Sequence, residues 1–345
     1  MRYSEDYWKE VNKVLNCVPD VKILKGKSVL ITGATGMICS IVVELLFKLN
    51  MSYDANILIY LAGRSREKVS SRFVPFKEGT DFFYVKYDAT SECTIEVVPD
   101  YIIHGASPAD PASFIKQPVE TMLANLWGLK TLLDLTKQNP MTRLLFISSS
   151  EIYGQKKEKR PFVESDFGYV DILNPRACYP SSKRAAETMC SAYHEEYGVD
   201  FVIVRPGHIY GPSITEKDSR ASAQFIRNAK NGDNIIMKSS GSQLRSYCYT
   251  LDCASAILTV LLKGRCGEAY NISNPQSVVT LRELADCLAM KAGVITLFEE
   301  ASDQELSSYN MMDNSSLNSN KLMCLGWKSC FNLDKGIEST LKHYK

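Results

Sequence analysis

Histidine is scarce in this chain, with 4 among 345 residues. The 11 cysteines are odd in number and scattered, and no two stand in a C-x-x-C pair. A zinc cluster needs His and Cys donors at short, repeated spacings, and that pattern is missing. Charge of one sign is missing too. The 40 Lys and Arg nearly balance 39 Asp and Glu, for a formal net charge of +1 and no long run of either sign. That excludes the electrostatic footprint of a nucleic-acid or membrane-surface partner. No apolar stretch reaches the ~18 residues that would suggest a spanning helix. Met1-Arg2-Tyr3-Ser4-Glu5-Asp6 is acidic and polar where a signal peptide would be basic and then apolar. A reducing, cytoplasmic setting is expected. What is present is a globular composition, 45% hydrophobic and 23% charged, enough to bury a large core in one large domain or two joined ones.

The chemistry-bearing stretch is Cys178-Tyr179-Pro180-Ser181-Ser182-Lys183, with Ser148-Ser149-Ser150 upstream. Tyr179 and Lys183 are four apart, so on a helix they share a face one turn apart. A phenol is a poor base at neutral pH, because its ordinary pKa is about 10. A nearby ammonium is expected to lower that value, letting Tyr179 take a proton from a substrate hydroxyl with a serine sharing the hydrogen bond. Such a pair also arises by chance on surface helices. It gains weight only beside a hydride acceptor.

The N-terminal region supplies the setting for one. Residues 1–26 read as an amphipathic helix. Lys27–Thr32 is a short apolar strand that runs into Gly33-Ala34-Thr35-Gly36-Met37-Ile38-Cys39, and an apolar helix follows to Leu49. A strand, a glycine turn and a helix form the context in which such a turn means phosphate binding. Gly33 permits a tight turn, Gly36 admits a pyrophosphate, and the helix start offers free N–H groups. Cys39 stands where the third glycine of the pattern would be. Candidate dinucleotide contacts here are Gly33, Thr35, Gly36, Met37 and Ile38.

The second strand, Asn56–Ala62, ends in Gly63-Arg64-Ser65-Arg66 with no carboxylate. A carboxylate there would hold the ribose 2′-hydroxyl of NAD, whereas an arginine suits the 2′-phosphate of NADP. NADP is therefore expected, with NAD the alternative. A third strand, Phe82–Val85, ends near Asp88 and Ala89, and the Asp88 carboxylate could meet the adenine amino group. Tyr101–His104 is a fourth strand, followed by small residues including Ala106 and Ser107 that allow close approach of a cofactor. His104 reads as a core histidine. Leu144–Ile147 is a fully apolar strand with Ser148-Ser149-Ser150-Glu151 at its carboxyl end, where open parallel sheets bind ligands. A helix from Tyr179 to about Tyr197 and a strand at Phe201–Arg205 come next. Beyond Pro212 the alternation weakens, and segments near Phe225, near Arg245 and after Thr280 suggest a smaller substrate-covering region.

Taken together, the glycine turn, Ser149 before Glu151-Ile152-Tyr153-Gly154, the Tyr-x-x-x-Lys pair and Arg205…Tyr210-Gly211-Pro212 resemble the extended short-chain dehydrogenase/reductase family, which includes nucleotide-sugar epimerases, dehydratases and decarboxylases. The resemblance covers nearly the whole chain. It implies that Ser149, Tyr179 and Lys183 form a catalytic trio, that Asn125 supports their helix, and that Arg245 grips a diphosphate. Within the family the chain is most similar to the UDP-glucuronate decarboxylase subgroup, through His104–Pro111, Ser149-Ser150-Glu151 and Arg176-Ala177-Cys178-Tyr179. The 4,6-dehydratases carry an Asp-Glu pair where this chain has Ser150-Glu151, so dehydration is disfavoured. Two positions depart from the subgroup: Arg64, where an acidic residue is usual, and His208, where an Asn usually touches substrate.

The expected fold is α/β, a doubly wound parallel Rossmann sheet with a smaller C-terminal substrate-binding region. Residues 1–175 would form the dinucleotide-binding part, and 176–345 the rest of the sheet interleaved with the smaller region. The expected activity is that of an NAD(P)-dependent nucleotide-sugar epimerase or decarboxylase, acting through transient hydride transfer from a sugar carbon. Glu151 would assist the second step, and Ser107, Ser150, Glu151, His208 and Arg245 would contact substrate. Lys183 would also hold the nicotinamide ribose. Family members commonly pair through the helices carrying Asn125 and Tyr179, so a homodimer is expected. Two alternatives stand beside this reading. One is a net NADPH-dependent reductase of a nucleotide-linked or phosphorylated keto sugar. The other is a non-catalytic NADP sensor, disfavoured because the Tyr-x-x-x-Lys pair is intact.

Overall fold

Near-continuous apolar runs are what strands buried on both faces require. Those of this chain lie in a sheet of seven strands, buried except at the β3 edge: β1 (Ser28–Thr32), β2 (Leu58–Gly63), β3 (Phe83–Lys86), β4 (Tyr101–His104), β5 (Arg143–Ile147), β6 (Asp200–Pro206) and, later, β10 (Ala269–Ile272). The structure is a computed structural model that describes residues 3–302 and 312–344. The seven strands lie in the order β3-β2-β1-β4-β5-β6-β10. Every neighbouring pair is parallel. Side chains alternate between faces. Val29 and Ile31 join one apolar cluster and Leu30 the other.

Helices cover both faces. In chain order they begin with α1 (Glu5–Leu15), α2 (Cys39–Tyr53), α3 (Arg66–Arg72) and α4 (Pro111–Lys116). They continue with α5 (Pro118–Gln138), α6 (Cys178–Tyr197), α7 (Ala221–Asn231), α8 (Thr250–Lys263) and α9 (Leu281–Ala292). α2 packs on α1 and α8, while α5 packs on α6. The N-terminal helix is shorter than the expected span of 1–26, of which Met1 and Arg2 lie outside the described residues. Ser4 caps its start, and it stops at Leu15. Pro19 cannot continue it, and Asp20 then takes a left-handed turn at φ 55°. All 11 cysteines are free thiols.

The remaining strands build smaller sheets beside the carboxyl edge of the first. β9 (Leu244–Tyr249) pairs with β7 (His208–Tyr210), β11 (Val278–Thr280) and β13 (Asn314–Ser315). β8 (Ile235–Met237) pairs with β12 (Thr296–Phe298). The strand order of the large sheet reverses between β1 and β4, and a crevice opens there beyond the strand ends.

Candidate active site

The crevice widens into a cavity of about 590 Å³ between the large sheet and the β7–β9 region. The glycine turn after β1 forms one wall. Gly33 adopts φ 68°, which a side chain would strain, and a Cβ there would lie 2.7 Å from the backbone carbonyl of Gly105. Two backbones thus meet at the switch point. Cys39 replaces the usual third glycine because Gly105 makes room: a Cβ on residue 105 would collide with Cys39 Sγ. At the start of α2 no side chain caps the helix. Among the described residues nothing accepts from the amides of Met37 and Ile38. Those donors and the close backbone approach fit a pyrophosphate.

Ser149, Tyr179 and Lys183 form the facing wall. Ser149 sits just past β5, where its Oγ accepts from the Glu151 amide at 3.2 Å. Tyr179 lies in the first turn of α6, 7% exposed. Phe114 of α4 stacks on its ring at 4.4 Å and 19°. Lys183 is 3% exposed and donates to the Ile147 carbonyl at 2.7 Å. Burial pushes its amine down to about 7. The expected lowering of the phenol by this lysine is not seen. Burial and then the charge of Glu151 push Tyr179 up to about 12, against the nearby Ser149 hydroxyl and the Arg220 and Arg176 charges. The reason is geometric, since the lysine Nζ turns onto Ile147 and lies 5.8 Å from the tyrosine ring centroid.

Asn125 reaches α6 from behind. Its Nδ2 donates to Ser182 Oγ at 2.9 Å and to Thr121 O at 3.1 Å, while its buried Oδ1 has no partner. Ser107, Ser150, Glu151, His208 and Arg245 all line the cavity. Glu151 is not free: Arg176 grips both its oxygens, at 3.0 and 3.1 Å. His208 bonds Ser315 Oγ through Nε2 at 3.1 Å. Burial, then the Arg245 and Arg220 charges, hold its ring well below the ordinary histidine value, so it is neutral. Arg245 is 7% exposed and, among the described residues, donates only to the carbonyls of Leu244 and Asp313. Among the described residues no carboxylate pairs with it. An unpaired, desolvated guanidinium is a receptor for an anion.

Other expected contacts stand off the cavity. Thr35 and Ala106 lie in its bordering loops. Arg64 is exposed at the end of β2, and its carbonyl accepts from Lys86 Nζ at 2.7 Å. Asp88 spends one carboxylate oxygen on Thr90, at 3.0 Å to the amide and 2.8 Å to the hydroxyl. Ala89 is buried under Gly128. His104 is a core residue, bonded to Thr32 Oγ1 at 2.7 Å.

Sequence reasoning missed Arg220 and Gln243, and it gave no role to Arg176. Arg220 lines the cavity, pairs with Asp218 and bonds Met37 Sδ. No periodic signal surrounds it, so only the fold brings it to the glycine turn.

A parallel sheet with a glycine turn at its switch point and a Tyr–Lys helix on the same cleft defines a doubly wound, Rossmann-like protein. The family follows from the whole sequence: the model of the NAD dependent epimerase/dehydratase family matches residues 29–273, and the chain belongs to that family. It is 31% identical over 334 residues to UDP-glucuronic acid decarboxylase 1 of Xenopus tropicalis, covering 95% of this chain and 75% of that one. It is 32% identical over 274 residues to UDP-glucuronic acid decarboxylase 3 of Arabidopsis thaliana, covering 78% and 74%. Among solved structures, UDP-glucose 4-epimerase of Thermus thermophilus in complex with NAD superposes with a TM-score of 0.75 at 25% identity, covering 92% of this chain and 98% of that one. UDP-glucuronic acid 4-epimerase of Bacillus cereus shares the fold with the same TM-score and coverage at 19% identity.

Proposed function

We propose that this protein acts on a nucleotide-linked sugar as an epimerase or decarboxylase, through transient removal of hydride from a sugar carbon. One observation carries the reading: the glycine turn, the Ser149–Tyr179–Lys183 group and the unpaired Arg245 open onto one cavity. The similarity to UDP-glucuronic acid decarboxylases supports it. When bound, the dinucleotide supplies the hydride acceptor and, in its oxidised form, a positive ring charge. The amides of Met37 and Ile38 would hold its pyrophosphate, and Arg64 favours the 2′-phosphate of NADP over NAD.

Tyr179 takes the proton of the sugar hydroxyl, and Ser149 orients that hydroxyl. Lys183 near 7 is poised to exchange a proton at neutral pH and offers its remaining donors to the nicotinamide ribose. Arg176 holds the Glu151 carboxylate in one orientation beside the sugar. In that state Glu151 can accept a hydrogen bond or steer a departing group. Arg245 binds the diphosphate. We place the protein in the cytoplasm as a homodimer joined through α5 and α6, whose exposed Val119, Met122, Trp127 and Tyr197 favour such a contact.

Arg64 favours a second reading, net NADPH-dependent reduction of a nucleotide-linked or phosphorylated keto sugar. The test is a panel of UDP-, CDP-, GDP- and dTDP-sugars, with products identified by mass and NMR and NADPH followed by absorbance. Epimerisation or decarboxylation without net NADPH loss supports the first reading. Stoichiometric NADPH loss supports the second. Tight NADP binding with no turnover of any member would favour a sensor.

A further inference from the structure

Cys17 and Cys330 stand 313 residues apart in sequence, yet their Sγ atoms lie 2.9 Å from each other. Cys17 follows α1, and its amide donates to the Val14 carbonyl at 3.0 Å. Cys330 lies just before the last helix, Leu333–His343. Both are half-buried free thiols, so a small reagent in solvent can reach the pair. A disulfide bond is about 2.05 Å long, so closure asks the two sulfurs to approach by only about 1 Å.

The contact is held from several sides. The buried Asp252 carboxylate of α8 accepts from the Cys330 amide at 2.8 Å and from the Phe331 amide at 3.0 Å. Lys13 of α1 donates to the Cys330 carbonyl at 2.9 Å, and its ammonium sits 4.6 Å over the Phe331 ring. Asn274 donates to the Phe331 carbonyl at 2.6 Å. The backbone polar groups of Cys330 and Phe331 are thus all spent inside the protein, which fixes where the Cys330 sulfur can point. Phe331 also packs on Tyr249, the last residue of β9, with ring centroids 4.8 Å apart. Burial, then the bond to Cys17, holds the Cys330 thiol above its ordinary value, so the first exchange falls to Cys17. Proximity then offsets the weak acidity of Cys330 in the second step.

We propose that Cys17 and Cys330 form a thiol–disulfide site that staples the two ends of the chain together under oxidising conditions. With a small-molecule disulfide such as oxidised glutathione, the Cys17 sulfur displaces one glutathione and forms a mixed disulfide. Cys330 then attacks the Cys17 sulfur and displaces the second glutathione. One protein S–S bond forms and the glutathione S–S bond breaks. Two electrons leave the protein thiols, and their two protons end on the two reduced glutathiones. In a reducing setting the pair stays a dithiol. The bond closes a loop of nearly the whole chain, and the constraint on the unfolded state grows with loop length. It joins α1, which packs on the α2 helix behind the glycine turn, to the segment packed on β9.

Incubation of the full chain at graded ratios of reduced to oxidised glutathione tests it. Free thiols are then blocked by alkylation, and peptides are mapped by mass spectrometry without reduction. The wild type should lose two alkylatable thiols, yield a linked Cys17–Cys330 peptide and melt about 3–6 °C above the reduced protein. Dithiothreitol should reverse all three changes. Cys17→Ser and Cys330→Ser should each keep the melting temperature of the reduced wild type and lose the rise on oxidation. Cys17 and Cys330 that stay alkylatable across the series, stop at separate glutathione adducts or pair with other cysteines overturn the proposal. So does a linked peptide without a rise in melting temperature, or a rise that persists in both serine variants.

Discussion

Lys183→Met should make the protein more stable while removing its activity. The amine is 3% exposed, and burial moves it from 10.5 to about 7. At about 1.4 kcal/mol for each factor of ten, keeping this cation in the folded chain costs at most roughly 5 kcal/mol near or below pH 7. Methionine fills similar volume without charge, but it leaves the Ile147 carbonyl without its donor, worth about 1–3 kcal/mol. The net gain is then at most about 2–4 kcal/mol. The pH dependence follows from the direction of the shift. Between about pH 7 and 10.5 the unfolded chain binds a proton at Lys183 that the folded chain has released, so this group makes wild-type stability rise with pH. The variant lacks that contribution, and the gap between the two proteins should close toward the upper end of the window. Urea unfolding of both at about pH 6.5 and 9.5 measures it. A variant no more stable than the wild type at the lower pH, or a gap that does not change with pH, would show that the amine is not desolvated in this way.

Three further outcomes follow from single residues. Arg64→Ala should weaken NADP by about tenfold or more and leave NAD unchanged, since a charge-assisted contact is worth roughly 1.5–3 kcal/mol; equal affinity for both cofactors in the wild type would remove the NADP assignment. Gly105→Ala should destabilise by about 1–3 kcal/mol through collision with Cys39 Sγ, and adding Cys39→Gly should restore most of the loss; a melting curve of the pair without that rescue would contradict the packing argument. Arg176→Lys should release one Glu151 oxygen and lower turnover while leaving cofactor affinity alone, because an ammonium cannot reproduce the fork; unchanged kcat would make the ion pair merely structural.

The parallel sheet was legible because its strands are buried on both faces, so runs such as Leu144–Ile147 and Tyr101–His104 carry almost no polar interruption. The glycine turn was legible because Gly33 and Gly36 sit between an apolar strand and an apolar helix. The missing third glycine became intelligible only in three dimensions, through Gly105. Spacing placed Tyr179 and Lys183 on one helix face but could not show that the lysine turns onto the Ile147 carbonyl, nor how deeply both are buried, and the expected direction of the phenol shift failed there. Arg176 meets Glu151 across 25 residues of sequence, and Arg220 reaches Met37 across 183. Contacts of that range leave no periodic trace. The helix expected over 1–26 ended early because Pro19 outweighed the amphipathic pattern.

The central claim is that Tyr179 moves the sugar hydroxyl proton at this site, and a substrate drawn from the nucleotide-sugar panel allows it to be tested directly. Turnover of the wild type and of Tyr179→Phe should be compared across pH, with folding checked by melting temperature and the cofactor site by NADP titration. The account predicts a folded, cofactor-binding variant slower by about 10²–10⁴. It also predicts a wild-type pH–rate limb, set by a base well below the free-phenol value once cofactor is bound, that vanishes in the variant. Near-wild-type turnover by folded Tyr179→Phe, or the same limb in both proteins, would contradict it.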